Sequence, residues 1–123
     1  FIGLSLYPYH LKNLGDCTIE DFCEMIKELV NLIGEDNIGI GSDLCLNWPD
    51  DVVMWMRNGK WTKNIDYGES KDKNPKWPKL PSWYKQPSDL NNLFYLMCEN
   101  NIPEKVSTKI IGQNWFNFMK NQF

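Results

Sequence analysis

The segment NIGIGSD, residues 37–43, decides how this 123-residue chain folds. Isoleucine and glycine alternate in it before Ser42 and Asp43 follow. A short apolar run that stops at polar residues and a turn is typical of a buried strand. We therefore predict a strand over residues 37–42, with an acidic side chain placed just beyond its end.

The residues on the N-terminal side of this segment predict the rest of a βαβ unit. Residues 18–34, TIEDFCEMIKELVNLIG, carry apolar side chains every three or four positions, as in a helix with one buried face. Thr18 is a good N-cap, with Asp21 three positions later, and Gly34 supplies a stop. Residues 2–7, IGLSLY, predict an earlier strand. Strand, helix and strand in this order favour a parallel sheet, and the apolar strands indicate that both of its faces are covered.

The second half of the sequence predicts three helices, a final amphipathic turn and one long loop. The loop is expected where four of the seven prolines cluster without any periodicity. A short helix is predicted from Asp50 or Asp51 to before Gly59. The loop follows over 60–87, held by Trp61, Trp77, Trp83 and Tyr84. After it we predict a helix from Ser88, a helix that begins at Pro103 and ends at Gly112, and a final amphipathic turn over 113–123.

Composition limits the classes of partner and compartment. The net charge of −3 argues against nucleic acid and anionic membranes as partners. No apolar run approaches the roughly 20 residues that span a bilayer, and no signal peptide is visible. The four cysteines form no CxxC pair, so we expect free thiols in a reducing compartment, with the bacterial cytoplasm as the expected location. Because the sequence opens inside an apolar run, we expect a piece of a longer polypeptide.

Three polar side chains are candidate site residues. In parallel α/β sheets, ligands lie at the carboxyl ends of the strands. Asp43 follows the second predicted strand, and Tyr7 and His10 follow the first, so all three are predicted to face one cavity. The alternatives are a turn-forming acid, a core aromatic residue and a structural histidine. One histidine without a carboxylate cluster cannot build a metal centre by itself.

Four segments together resemble a known family. They are similar to the C-terminal portion of the zinc-dependent membrane (renal-type) dipeptidases, in the amidohydrolase-like group. The four segments are GLSLYPYHL, DCTIEDFCEMIKELVNLIG, NIGIGSDL and IIGQNWFNFM. Gln113 departs from the second glycine that is usual at that position. The resemblance implies an α/β fold, the (β/α)8 TIM barrel. Residues 1–123 would supply the last two parallel strands and the closing helices of that single domain.

The resemblance also implies a function. The family uses a binuclear zinc centre whose ligands lie on earlier strands, and those motifs are missing from this sequence. Asp43 matches the family's catalytic carboxylate, which binds the substrate amine and transfers a proton to the leaving amine. Tyr7 and His10 fall where the family lines its substrate pocket. The parent protein would hydrolyse dipeptides with metal-activated water, whereas the isolated chain is expected to lack activity.

Two other functions and one consequence for assembly stay open. The chain could be a non-catalytic binding or assembly module derived from a barrel. A different barrel enzyme that grips phosphate is disfavoured, since no glycine-rich phosphate loop follows either strand. Two strands without further neighbours expose unpaired edges and an apolar sheet face, so we expect homo-oligomers or self-association through the sheet.

Overall fold

The computed structural model describes residues 1–57 and 76–122. The chain divides into two compact units, Phe1–Leu44 with Lys79–Phe123, and Cys45–Pro78. The first unit contains the strands β1 (Ile2–Ser5) and β2 (Ile38–Gly41) and the helices α1 (Ile19–Ile33), α3 (Asp89–Glu99), α4 (Glu104–Thr108) and α5 (Asn114–Gln122), while α2 (Asp50–Arg57) lies in the second unit.

The predicted βαβ unit is present. β1 and β2 are adjacent and parallel, and Ile2 pairs with Ile38. Each strand has four residues, which is shorter than predicted. The signals at the ends of α1 act as expected: the Asp21 N–H donates to the Thr18 hydroxyl at 3.1 Å, and Gly34 ends the helix at a φ of 82°. A side chain would be strained at that φ, so glycine is required there.

The two faces of the sheet differ in the size of their side chains. Leu4, Ile38 and Ile40 are buried on one face, which packs into the hydrophobic core. The opposite face carries Gly3, Ser5, Gly39 and Gly41, and we call it the glycine face. The core consists of Leu4, Leu6, Leu11, Cys17, Phe22, Cys23, Ile26, Ile38, Ile40, Trp83, Tyr84, Leu93, Met97, Ile102, Val106 and Ile110. The α/β class predicted from the sequence is therefore correct.

One indole ring covers Gly3 and Gly39 on the glycine face. A Cβ atom added to Gly39 would lie 2.5 Å from Nε1 of Trp115, and one added to Gly3 would lie 3.1 Å from the same ring. The ring of Trp115 also meets that of Phe1 at a centroid distance of 4.7 Å. The two glycines are needed because any larger residue would displace the indole.

Helix α5 also covers the outer edge of β2. The Leu6 N–H donates to the Gly41 carbonyl across the sheet at 3.1 Å, so the carbonyls of Ile38 and Ile40 point away from β1. The side chains of Asn114 and Trp115 donate to these two carbonyls, in that order, at 2.8 Å each. The expectation that both sheet edges are unpaired is thus wrong for β2, because side chains replace a neighbouring strand there.

The predicted end of a helix at Gly112 is wrong. Helix α4 continues through a π-helical turn, Lys109–Gln113, directly into α5. Gly112 does not adopt a positive φ, and a Cβ atom there would meet nothing within 4 Å. Glycine therefore lies inside the helical segment here, and the π-turn inserts one extra residue that turns Asn114 towards β2.

An ion cluster fixes the π-turn against the turn before β2. Nζ of Lys109 lies 2.5 Å from a carboxylate oxygen of Glu35 and 2.7 Å from one of Asp36. The Lys109 side chain is only 16% exposed. Both carboxylates raise the pKa of Lys109, with the hydrogen bond to Asp36 as the larger cause. These contacts and the Asn114 bonds hold α5 on the β2 edge.

The remaining predicted elements are present within the described residues. As predicted, α2 begins at Asp50 and ends before Gly59, and α3 follows Ser88. The α3 helix buries Leu93 and Met97. Residues 76–87 form neither helix nor strand; most of the predicted loop, Trp61 included, lies outside the described residues. In the second unit, the Trp77 indole donates to the Trp48 carbonyl at 2.8 Å. No helix in the described part of the chain has the length and apolar character to cross a membrane.

Candidate functional site

The carboxyl ends of both strands meet at one edge of the sheet. Ser5, the last residue of β1, pairs with Gly41, the last residue of β2. Tyr7 and Asp43 each lie two residues beyond this pair, at equivalent positions past the ladder. The parallel register therefore places two predicted site residues at the same end of the sheet, as a ligand site in an α/β protein requires.

Asp43 occupies an unusual backbone conformation. Its φ is 46°, in the left-handed region, and its side chain is exposed. Asp and Asn tolerate this region better than other non-glycine residues, although it is still a strained conformation that is common at functional sites. Within the described residues, no hydrogen bond or ion pair engages its carboxylate. The carboxylate is therefore available to a ligand at the strand end.

Tyr7 and His10 lie together beyond the end of β1. A 3₁₀ turn, Pro8–His10, folds the chain back, and the two rings approach to a centroid distance of 5.4 Å. Nδ1 of His10 lies 3.0 Å from the hydroxyl oxygen of Ser5. The Tyr7 backbone N–H donates to the same oxygen at 3.1 Å. Ser5 therefore joins both residues into one cluster, which we call the Ser5 cluster.

Asp43 and the Ser5 cluster share an edge without direct contact. No hydrogen bond or ion pair among the described residues joins Asp43 to Tyr7 or His10. His10 lines a groove of about 460 Å³ between the outer edge of β1 and the row of Met25, Leu29 and Leu32 on α1. Neither Tyr7 nor Asp43 lines that groove, so the role of the three residues in one site stays a prediction.

Two site residues were not predicted from the sequence. Ser5 reads as an ordinary strand residue, and Tyr84 as an aromatic residue that holds a loop. Tyr84 is buried below the end of β2, where it shares a hydrogen bond with Ser42, next to Asp43. Burial raises the pKa of Tyr84, and the Ser42 hydrogen bond opposes that rise. Ser5 ends β1 and Ser42 directly follows β2, and this repeated serine is the one sequence signal that could have indicated Ser5 and Tyr84 as site residues.

The described residues do not form a metal site. No three side chains of His, Cys, Asp or Glu lie close enough together in residues 1–57 and 76–122 to hold a metal ion. His10 is the single histidine of the chain, and its neighbours in the Ser5 cluster are hydroxyl-bearing side chains. Borderline metals such as Zn²⁺ prefer several nitrogen or sulfur ligands, and this cluster offers one.

Comparison with known proteins gives one informative similarity. The chain is similar to the crystal structure of an amidohydrolase from Pseudomonas aeruginosa, at 30% sequence identity and a TM-score of 0.75. The similarity covers 94% of this chain and 34% of the amidohydrolase, so the chain spans about a third of that protein's length. No protein-family model and no curated protein sequence matches the chain.

This similarity defines the class of the protein at a coarse level. A TM-score of 0.75 over nearly the whole chain means that the βαβ unit and the C-terminal helices follow the course of the amidohydrolase chain. The fold is therefore amidohydrolase-like, and the relationship is to a hydrolase. The finer predictions, a TIM barrel, zinc and dipeptides, go beyond this finding.

Proposed function

We propose that this chain supplies the C-terminal two strands and closing helices of a zinc-dependent dipeptidase with a TIM barrel, in which a neighbouring strand would replace the α5 side chains that cover the β2 edge here. The similarity to an amidohydrolase over 94% of the chain is the observation that carries the proposal. The position of Asp43 past the carboxyl end of β2 supports it, because barrel enzymes place catalytic residues at that end. The substrate class, dipeptides, comes from the family resemblance of the four sequence segments.

In this proposal Asp43 binds the free amine of the substrate. Its carboxylate accepts hydrogen bonds from an ammonium group, and it can take up a proton and return it to the leaving amine. The left-handed backbone at Asp43 and the absence of a hydrogen-bond partner among the described residues leave the carboxylate for this task. Tyr7 and His10 contribute polar groups to the substrate pocket on the β1 side of the same edge.

The zinc ligands are proposed to come from the rest of a longer polypeptide. The described residues do not fit a zinc centre, since they hold no cluster of three ligating side chains. We propose that the isolated chain neither binds zinc tightly nor turns over a dipeptide. Calorimetric zinc titration together with a dipeptide hydrolysis assay tests this, and stoichiometric tight zinc binding or measurable turnover would overturn it.

A chimera tests the positive part of the proposal. The segment of the Pseudomonas aeruginosa amidohydrolase that this chain matches is replaced by residues 1–123. The chimera and the unmodified amidohydrolase, each supplied with zinc, are assayed with a dipeptide that the unmodified protein hydrolyses. We expect hydrolysis, with a kcat that D43N lowers about 100-fold or more, the usual scale for loss of a general acid–base group. D16N is the matched control, because Asp16 is an exposed acid whose carboxylate pairs with Lys79.

Three outcomes would contradict the proposal. A chimera that shows the thermal melt of a folded protein but hydrolyses no dipeptide would favour the non-catalytic binding or assembly module. A D43N chimera as active as D16N would show that Asp43 is only a turn-forming acid. A chimera that fails to melt cooperatively would show that this chain does not complete the barrel, which also contradicts the proposal.

A further inference from the structure

Two hydrogen-bonding contacts meet at the Ser5 hydroxyl, at the end of β1. The hydroxyl oxygen of Ser5 accepts the Tyr7 backbone N–H at 3.1 Å and lies 3.0 Å from Nδ1 of His10. Serine has one O–H donor and two acceptor lone pairs, so after the Tyr7 contact its proton still needs an acceptor. Among the described residues, Nδ1 of His10 is the acceptor within hydrogen-bond distance of that hydroxyl.

The alternative direction of this hydrogen bond satisfies fewer groups. If Nδ1–H donated to Ser5, the serine oxygen would accept two hydrogen bonds and its own O–H would have no partner in the described part of the chain. When the hydroxyl donates to Nδ1, each Ser5 group is paired, and the imidazole proton lies on Nε2. The hydrogen bond that Nδ1 accepts thus determines that Nε2 carries the ring proton.

We propose that Ser5 is a positioning residue that fixes neutral His10 with Nδ1 as acceptor and Nε2–H as a donor for a ligand. No hydrogen bond engages Nε2 within the described residues, and the ring is exposed at the sheet edge. An outward N–H donor recognises an acceptor oxygen, and in the proposed dipeptide pocket, on which this ligand assignment rests, that oxygen is a peptide carbonyl or carboxylate.

Nuclear magnetic resonance tests the tautomer directly. His10 is the single histidine, so its two ring nitrogens give the only imidazole signals in a two-bond proton–nitrogen spectrum of the chain. The spectrum is recorded at about pH 8.5, roughly two units above the usual pKa of a free imidazole. We expect the wild-type chain to show Nε2 protonated and Nδ1 as a hydrogen-bonded acceptor. In S5A the Nδ1 resonance should move towards that of an unbonded acceptor.

Three further measurements keep the test specific. S5T retains a hydroxyl and suits a strand, so it should restore the wild-type Nδ1 signal. S88A removes an exposed serine whose side chain makes no capping hydrogen bond, so it should leave both signals unchanged. Far-UV circular dichroism of S5A shows whether the variant folds; if it does not, the comparison of the wild-type chain with S5T decides the outcome.

Defined results would overturn the inference. These are protonation of Nδ1 in the neutral wild-type chain, an unchanged Nδ1 resonance in folded S5A, and a shift in S5T as large as that in S5A. The readout requires no turnover. An inactive chimera would therefore count against the proposed dipeptidase function and leave the assignment of Ser5 standing.

Discussion

Replacement of Asn114 by alanine tests how α5 holds the sheet. Asn114 is 3% exposed, and its amide group donates to the carbonyls of Glu35 at 2.7 Å and Ile38 at 2.8 Å. In N114A both hydrogen bonds are lost and the buried Ile38 carbonyl is left without a partner. The same change also shortens a side chain at the start of α5, next to the π-turn.

The magnitude follows from these contacts. A hydrogen bond contributes about 1 kcal/mol net, and an unsatisfied buried carbonyl costs about 1–3 kcal/mol. We count about 1 kcal/mol for the part-buried Glu35 contact and about 2 kcal/mol for the buried Ile38 contact, so N114A should lower the free energy of unfolding by about 3 kcal/mol. At a urea m-value of about 1.5 kcal/mol/M, the midpoint should fall by about 2 M.

Urea unfolding followed by far-UV circular dichroism measures the change in the free energy of unfolding. Two other variants of the same helix serve as comparisons. W115F loses one hydrogen bond, to the Ile40 carbonyl, and keeps an aromatic ring, so we expect a loss of about 1–1.5 kcal/mol. N117A alters an exposed asparagine and should stay within about 0.5 kcal/mol of the native chain. An N114A midpoint equal to that of N117A would refute the account of the β2 edge.

Three further predictions concern packing and protonation. G39A should lose about 1–3 kcal/mol, since its Cβ would overlap the indole on the glycine face, whereas G112A should cost nothing; equal urea midpoints would contradict this. The hydrogen bond from Lys12 lowers the pKa of Asp21 from its ordinary value of 3.8. The contribution of the ionised Asp21 carboxylate to the stability of the fold is therefore complete above about pH 5 and is lost as pH falls through the folded-state pKa. In acid titrations D21N should therefore lose less stability than the native chain between about pH 5 and about pH 2, and parallel curves would contradict this. Burial raises the pKa of the Cys23 thiol to about 11, so iodoacetamide should modify it only on unfolding, and fast labelling of the folded chain would disprove its burial.

Local signals explain which parts of the fold could be predicted. Thr18, Gly34 and the apolar period determine α1 within a few neighbouring residues, so its bounds follow from the sequence alone. The two strands were predicted because their residues are uniformly small or apolar, and the parallel pairing followed from the intervening helix. Local chemistry and tertiary structure agree in this half of the chain.

The C-terminal region could not be predicted because contacts distant in sequence decide it. Glycine often ends a helix, and Gly112 was therefore predicted to do so. The ion pairs of Lys109 and the hydrogen bonds of Asn114 instead hold the chain in a continuous helix with a π-turn. The hydrogen bond between Ser5 and His10 depends on the turn that begins at Pro8. In the candidate site, the position of Asp43 at the strand end could be predicted from the sequence. The hydrogen bonds of Ser5 with His10 and of Ser42 with Tyr84 could not.

The unequal edges of the sheet limit how copies of this chain could join. Extension of the sheet from copy to copy needs the β1 edge of one molecule to meet the β2 edge of the next, and α5 side chains already occupy the β2 carbonyls. The remaining mode joins two β1 edges by a two-fold axis, in which both partners use the same strand. Strand-mediated association of this chain would stop at a closed pair, and no fibre could grow from it.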